Sequence, residues 1–319
     1  MDINIIRYVF ILNSMIILSF GILINCFEPY LPILITRLFR YGKFSIKVQQ
    51  ALVAKLEVPK RWFRHFYIFA GPASTIILCL ILYKYLYNGN IPEIVFILLD
   101  TSLGTSRKPL ISAEYVILAI VIFNIHCWKR AYETCYVNVY SDQKMNILHY
   151  LVGHIHYIGT LLCIVGESEG FVKDSRINLS LSKLTVITII YVTIFLWSSY
   201  MQLKTNIILA KLRKNKHGDI VSHKYRIPVD GLFKYTSAPL QFTEIFVYLM
   251  LSGILWQAST YHYVTIWVIT NQVLNSFVRF FSPFDNTIQI ICYFRWKLHF
   301  YLTNGIMTLS KITQKKERF

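Results

Sequence analysis

Acidic residues are scarce in this sequence: 16 Asp and Glu stand against 33 Lys and Arg, a formal charge of +17 over 319 residues. Charged residues of either sign make up only 15%, too few for the surface of an ordinary soluble domain. The basic excess is clustered between apolar runs. That argues against a nucleic-acid-binding face and for loops that meet anionic lipid headgroups. No CxxC pair occurs, and Cys26, Cys79, Cys127, Cys135, Cys163 and Cys292 are scattered. This excludes a disulfide framework and a structural zinc site, and the apolar setting of most of them predicts buried thiols. Also missing are a Walker loop, a Gly-x-Gly-x-x-Gly fingerprint, His-Glu-x-x-His and Gly-x-Ser-x-Gly. The corresponding nucleotidases, doubly wound dehydrogenases, zinc proteases and α/β-hydrolases are thereby excluded. No internal repeat, low-complexity tract or soluble second domain is visible, so residues 1–319 read as one membrane-embedded domain.

What the sequence has in quantity is apolar residues, 55% of the total, with a mean hydropathy of +0.46. A helix needs about 20 mostly apolar residues to cross a bilayer. Runs of that kind cover residues 9–27, 66–87, 111–128, 147–166, 184–201, 243–256 and 261–277, the sixth being short. The first is followed by Asn25, Cys26 and Glu28, a poor cleavage site for a signal peptide, and is read as retained. A further run at 288–300 is interrupted by Arg295 and Lys297 and is not counted. The expected fold is therefore all-α and polytopic, with about seven spans. Lys and Arg concentrate in residues 37–64, 129–144 and 204–244, whereas 88–110 and 167–182 carry few. By the positive-inside bias the N-terminus is lumenal and the C-terminus cytosolic.

Chemistry-bearing residues gather at the expected membrane boundaries. Residues 204–244 read as a basic, polar loop in which Lys204, Lys211, Arg213, Lys214, Lys216, Lys224, Arg226 and Lys234 alternate with Tyr225, Phe233 and Tyr235. Aromatic rings stack on a base and Arg or Lys holds phosphates, which suits a nucleotide cofactor; a plain cytosolic loop has the same composition. At the start of the second run stand Pro59, Trp62, Arg64 and His65, with Tyr67 just inside it. Pro59 favours a helix start and Trp62 an interface, leaving His65 and Tyr67 as proton donors near the headgroups. At the end of the third run His126, Arg130 and Glu133 fall on one helical face at i, i+4 and i+7, with Arg130 and Glu133 spaced to pair. Charges this close to a membrane core are usually functional. His149, His154 and His156 are too few for a histidine-rich iron site and have no carboxylate with them, so no metal is expected.

Several segments in order carry a resemblance. They are Arg40-Tyr41-Gly42-Lys43, 58–63 with His65 to Tyr67, His126 to Arg130 with 132–137 and Tyr140-Ser141, and Trp197 to Tyr200. They continue in 212–216, His223 to Pro228, Gly231 to Ser237 with Pro239 and Glu244, Asn271-Gln272 and Ser276-Phe277. On these the chain resembles the steroid 5-alpha-reductase family, most closely its type 3 branch, whose members act on polyprenoids. The Lys-Arg-x-x-Glu-Thr piece at 129–134 also looks like that of the trans-2-enoyl-CoA reductases. The resemblance implies a seven-helix enzyme of the endoplasmic reticulum membrane that uses NADPH. It would saturate the alpha-isoprene double bond of a polyprenoid lipid, in the synthesis of dolichol for protein N-glycosylation. It puts cofactor-binding residues at Arg130, Arg213, Tyr225, Arg226, Ser237 and Glu244, with Asn206 where the steroid branch has Asp. The substrate-side Glu of the steroid branch falls near His65 and Phe66, and its Tyr at Cys127. The catalytic candidates are accordingly His65, with Tyr67 or His126 in support. Two departures stand out: Leu240 takes the place of an Asn, and the family's closing His-x-x-x-Tyr and basic ending are absent after Phe277.

Two other classes compete on residues alone. A membrane methyltransferase of the isoprenylcysteine or phospholipid type also packs a basic-Pro motif and a Glu around its cofactor. It usually shows Arg-His-Pro-x-Tyr where this chain has Arg226-Ile227-Pro228 and Ala238-Pro239-Leu240. A transporter would need broken helices and charges at mid-bilayer depth, whereas here the charges lie at span ends.

Overall fold

The computed structural model describes residues 2–27, 30–31, 57–180, 183–222 and 228–280. Among these are eight α-helices: α1 (Ile5–Phe27), α2 (Arg64–Tyr87), α3 (Glu93–Leu103), α4 (Ala113–Tyr132), α5 (Ile147–Gly166), α6 (Val186–Lys211), α7 (Pro239–Ile254) and α8 (Tyr261–Phe280). Local chemistry sets several ends. Asn146 caps α5, its side chain accepting from the Leu148 amide at 2.8 Å. Pro239 opens α7, where its missing N–H costs nothing. Asn88 closes α2 in the left-handed region at φ 48°.

Four stretches are long and apolar enough to cross a membrane: Ile5–Ile24, Lys60–Tyr87, Ile147–Gly166 and Val186–Lys211. Helix α7 is apolar but shorter. Helices α6 and α7 pack along each other, as do α2 and α4, while α5 packs on α2 and α3. The α2–α4 seam is close because small residues line it: Ala70, Gly71 and Ser74 are buried there. A Cβ on Gly71 would lie 3.2 Å from the Trp128 ring. Polar bonds fix its register, with Asn124 donating to Ser74 and Thr75, and Trp128 Nε1 to Thr75 at 2.9 Å.

The helix ends alternate. At one end the residues before α1, α4 and α8 and the last turn of α2 meet those after α5. Asn4 Nδ2 donates to Thr260 at 2.8 Å, the Ser259 amide to Glu167 at 2.7 Å, the Ile111 amide to the Glu167 carbonyl at 2.9 Å, and Tyr85 Oη to the Glu169 carbonyl at 2.7 Å. Near the start of α6, the Lys183 carbonyl accepts from Tyr115 of α4 at 2.7 Å. At the other end a two-stranded antiparallel ribbon joins β1 (Glu57–Pro59) to β2 (Lys144–Asn146) with Val58 opposite Met145. It ties the approach to α2 to the approach to α5.

Four expectations are corrected. Residues 88–110 are not all loop, since α3 lies within them; at 11 residues it is too short to span. Residues 57–59 and 144–146 pair as strands. The polar stretch 204–244 is not one loop: α6 runs ten residues past the expected end at 201, and α7 starts at Pro239. Lys204 and Asn206 are polar without being helix breakers, and Gln202, Thr205 and Asn206 form a buried polar face of α6. Among the four cysteines whose side chains are described, burial holds for Cys127 and Cys163; Cys26 and Cys292 lie outside the described side chains. Cys79 and Cys135 are exposed, Cys79 on the outer side of α2.

Candidate active site

The polar network starts on the last turn of α4. His126, Arg130 and Glu133 share the expected face and all are buried. At Glu133 the α-helix widens into a π-turn over Glu133–Val137, closed by the Asn138 amide on the Glu133 carbonyl at 2.8 Å. Such turns recur at functional sites because the wider turn re-aims side chains. Arg130 pairs with the Glu133 carboxylate through Nη1 and donates to Tyr67 Oη through Nη2 at 2.8 Å. Glu133 also meets Lys129 Nζ at 3.3 Å and accepts from Asn206 Nδ2 at 3.1 Å. Lys129 donates to Gln202 at 2.6 Å and to the Ser199 carbonyl at 3.1 Å; Gln202 in turn donates to Glu244.

Helices α2, α4, α6 and α7 are thus joined by two cations and two carboxylates. Equal numbers of opposite charge make such burial tolerable, and removing one member leaves its partner costly. Several polar atoms nevertheless remain without a hydrogen bond: Arg130 Nε, His126 Nε2 and Ser198 Oγ.

Tyr67 is 4% exposed. A guanidinium only donates, so Arg130 uses the Tyr67 oxygen as acceptor and leaves the phenol O–H for another group. Tyr157 of α5 packs edge-on against it, with ring centroids 5.4 Å apart. In the loop after the π-turn, burial pushes the Tyr140 hydroxyl up to about 12, so it stays protonated close to Tyr67 and Arg130.

The other expected site residues divide. Asn206 and Glu244 are in the network. His126 borders it, with Nδ1 3.2 Å from Ser199 Oγ. His65 stands apart: two residues from Tyr67 on a helix is roughly 200° of rotation. It bonds Tyr150 Oη at 3.2 Å and stacks near Trp62 with ring centroids 5.5 Å apart. Arg213 follows α6 and donates to the Val139 carbonyl. Ser237 is exposed in the turn before α7. Tyr225 and Arg226 lie outside the described residues. Of the remaining histidines, His156 bonds Tyr248 Oη at 2.6 Å, and His154 Nδ1 lies 3.0 Å from the Tyr150 carbonyl.

Reading residues one stretch at a time missed Lys129, Gln202 and Tyr157. Ser199, Gln202 and Asn206 follow i, i+3, i+7 spacing, a signal that was legible. Tyr157 gives none, because a tyrosine in an apolar helix is usually core.

Fold and site define a helical, multi-pass membrane protein with a buried, charged network near one end of its bundle. Residues 172–287 match a family described as 3-oxo-5-alpha-steroid 4-dehydrogenase. A polyprenal reductase of Drosophila melanogaster is 34% identical over 280 residues, covering 86% of each chain. One of Caenorhabditis elegans is 30% identical over 272 residues, covering 83% of this chain and 87% of the other. A human polyprenal reductase is 27% identical over 251 residues, with 76% and 77% covered. This chain belongs to the 3-oxo-5-alpha-steroid 4-dehydrogenase, or steroid 5-alpha-reductase, family.

Proposed function

We propose that this protein is an NADPH-dependent polyprenal reductase of the endoplasmic reticulum membrane, saturating the alpha-isoprene double bond of a polyprenoid in dolichol synthesis. The observation that carries this reading is the buried Tyr67–Arg130–Glu133–Asn206 network, in a chain with polyprenal reductases as relatives over most of its length. Seven spans, a lumenal N-terminus and a cytosolic C-terminus complete it, supported by the alternation of helix ends and by the basic loops. A glycosylation acceptor inserted between Gly89 and Pro92 is expected to be modified in the endoplasmic reticulum, and one near Asn215 not. The reverse pattern overturns the orientation.

The residues fit a dinucleotide phosphate. Arg130 carries a buried Nε with no hydrogen bond, and Arg213 stands beside Lys211, Lys214 and Lys216 just past α6. Arg130, Asn206, Arg213, Tyr225, Arg226, Ser237 and Glu244 would hold it. Bound there, NADPH would supply a hydride to the β carbon of the unsaturated aldehyde, leaving an enolate that needs a proton to complete the reduction. Negative charge then builds on the aldehyde oxygen and needs a donor. Tyr67 takes that role: its O–H is left over after Arg130 has occupied the oxygen, and the guanidinium offsets charge developing on the phenol. Glu133 and Lys129 hold Arg130 in place. His126 braces α4 on α6. His65, held by Trp62 and Tyr150 away from Tyr67, is the alternative donor.

Membranes containing the chain should convert a polyprenal to its alpha-saturated aldehyde when NADPH is supplied, followed by mass spectrometry. Absence of conversion in a chain that is inserted and folded sinks the reading.

A further inference from the structure

One turn apart on α6, Gln202 and Asn206 are buried amides that face carboxylates from two different elements. Asn206 donates to Glu133, just past α4, at 3.1 Å, and Gln202 donates to Glu244 of α7. Between them stands Lys129. Its ammonium has three hydrogens, and three acceptors surround it: Gln202 Oε1 at 2.6 Å, the Ser199 carbonyl at 3.1 Å and Glu133 Oε1 at 3.3 Å. With all three hydrogens engaged, Lys129 is a fixed charge and not a ligand contact. An ammonium only donates. The oxygen of the Gln202 amide must therefore face Lys129, and its NH₂ is turned to Glu244. Gln202 is 2% exposed, whereas Glu244 is partly exposed. A buried cation thus fixes, through one amide, the aim of a carboxylate that a ligand can reach.

We propose that Lys129 and Gln202 are positioning residues for NADPH binding and act through Glu244. The inference rests on the reductase reading above and extends it to two residues behind the one expected to meet the cofactor. A carboxylate accepts and does not donate, so Glu244 takes a donor group. On a nicotinamide dinucleotide that donor is the carboxamide NH₂ or a ribose hydroxyl. Such a bond adds affinity only if the carboxylate already stands where the donor arrives, because ordering it on binding costs entropy. Gln202 does the ordering beforehand: its bond holds Oε2 of Glu244 and leaves Oε1 for the ligand. Lys129 at the far end of the amide polarises it and strengthens its donation. The residue type at 202 is therefore restricted. A glutamate there would keep the pair with Lys129 but confront Glu244 with a second negative charge.

The test uses the full chain in detergent and reads NADPH affinity from quenching of tryptophan fluorescence, apart from turnover. Gln202→Met is expected to raise Kd for NADPH about tenfold, as loss of one charge-assisted contact predicts, with KM for the polyprenal unchanged. That variant strips a buried charge of a partner, so Gln202→Glu serves beside it. Its carboxylate keeps the pair with Lys129, and the melting midpoint should hold while Kd rises at least as much. Lys129→Met should shift Kd no less, since it frees the Gln202 amide. Action through Glu244 is read in a double-mutant cycle. Glu244→Gln raises Kd by itself, and adding Gln202→Met to it should change Kd no further. An unchanged Kd in Gln202→Met and Gln202→Glu overturns the proposal. So do additive effects of Gln202→Met and Glu244→Gln. Parallel losses of NADPH and polyprenal affinity that follow the melting midpoint also overturn it, marking the two residues as packing. An unaltered chain that binds no NADPH removes the reductase reading itself, a result distinct from all of these.

Discussion

Two buried carboxylates, one near each end of the bundle, make different uses of their surroundings. Glu167, just past α5, accepts from the amides of Ser259 and Thr260 and from both their hydroxyls, and the residues before α8 are fastened to α5 by those four bonds. Its partners are neutral donors, and each carboxylate oxygen takes two of them. Glu133 instead sits among Lys129, Arg130 and Asn206, where Arg130 Nε and the neighbouring His126 Nε2 keep unused hydrogen-bonding capacity. A saturated carboxylate is a fastener. A charged network with hydrogen-bonding capacity left over costs stability for each unmade bond, and rule-breaking of that kind gathers at functional sites.

Breaking the comparison starts with the largest effect. Tyr67→Phe should lower kcat about 10²–10⁴-fold, the usual contribution of a positioned acid, with KM for NADPH and membrane insertion unchanged. His65→Ala should lower it far less. A normal kcat in Tyr67→Phe together with a collapse in His65→Ala would transfer the donor role to His65. Next, Arg226→Ala should raise KM for NADPH far more than KM for the lipid, the loss of one charge-assisted contact being about 1.5–3 kcal/mol. Equal effects on both would make Arg226 structural.

Glu167→Ala should act on the fold alone. Leaving Ser259 and Thr260 without their acceptor costs about 1–3 kcal/mol, read as a lower melting midpoint in detergent with both KM values intact. A selective change in KM would remove the distinction between the two ends. The smallest effect belongs to Asn206→Ala. One neutral side chain on Glu133 contributes about 0.5–1.5 kcal/mol, so KM for NADPH should rise a few-fold while the melting midpoint barely moves.

Much of this was legible in order of residues. Among the described residues, apolar runs located every long helix because a spanning segment must satisfy its backbone internally and its side chains in lipid. The i, i+4, i+7 face of α4 was legible for the same reason that made its members expensive: charges beside apolar runs are seldom idle. Sequence went wrong where polarity was taken as loop. Gln202, Thr205 and Asn206 are polar because they face inward onto a buried network, and no one-dimensional pattern separates a polar face turned inward from a polar end turned to water.

By itself, then, the sequence determined that this is a helical membrane chain, which ends of its helices are basic, and which family it resembles. Those are properties of hydropathy and of residue order. Only the tertiary structure decided that Tyr67 shares Arg130 with Glu133 while His65, two positions away, turns to Tyr150. It also decided that α3 leaves the loop to pack on α5. Both depend on which helix stands beside which, and that is fixed by close packing of small residues such as Gly71 and Gly166 against Trp128 and Leu103.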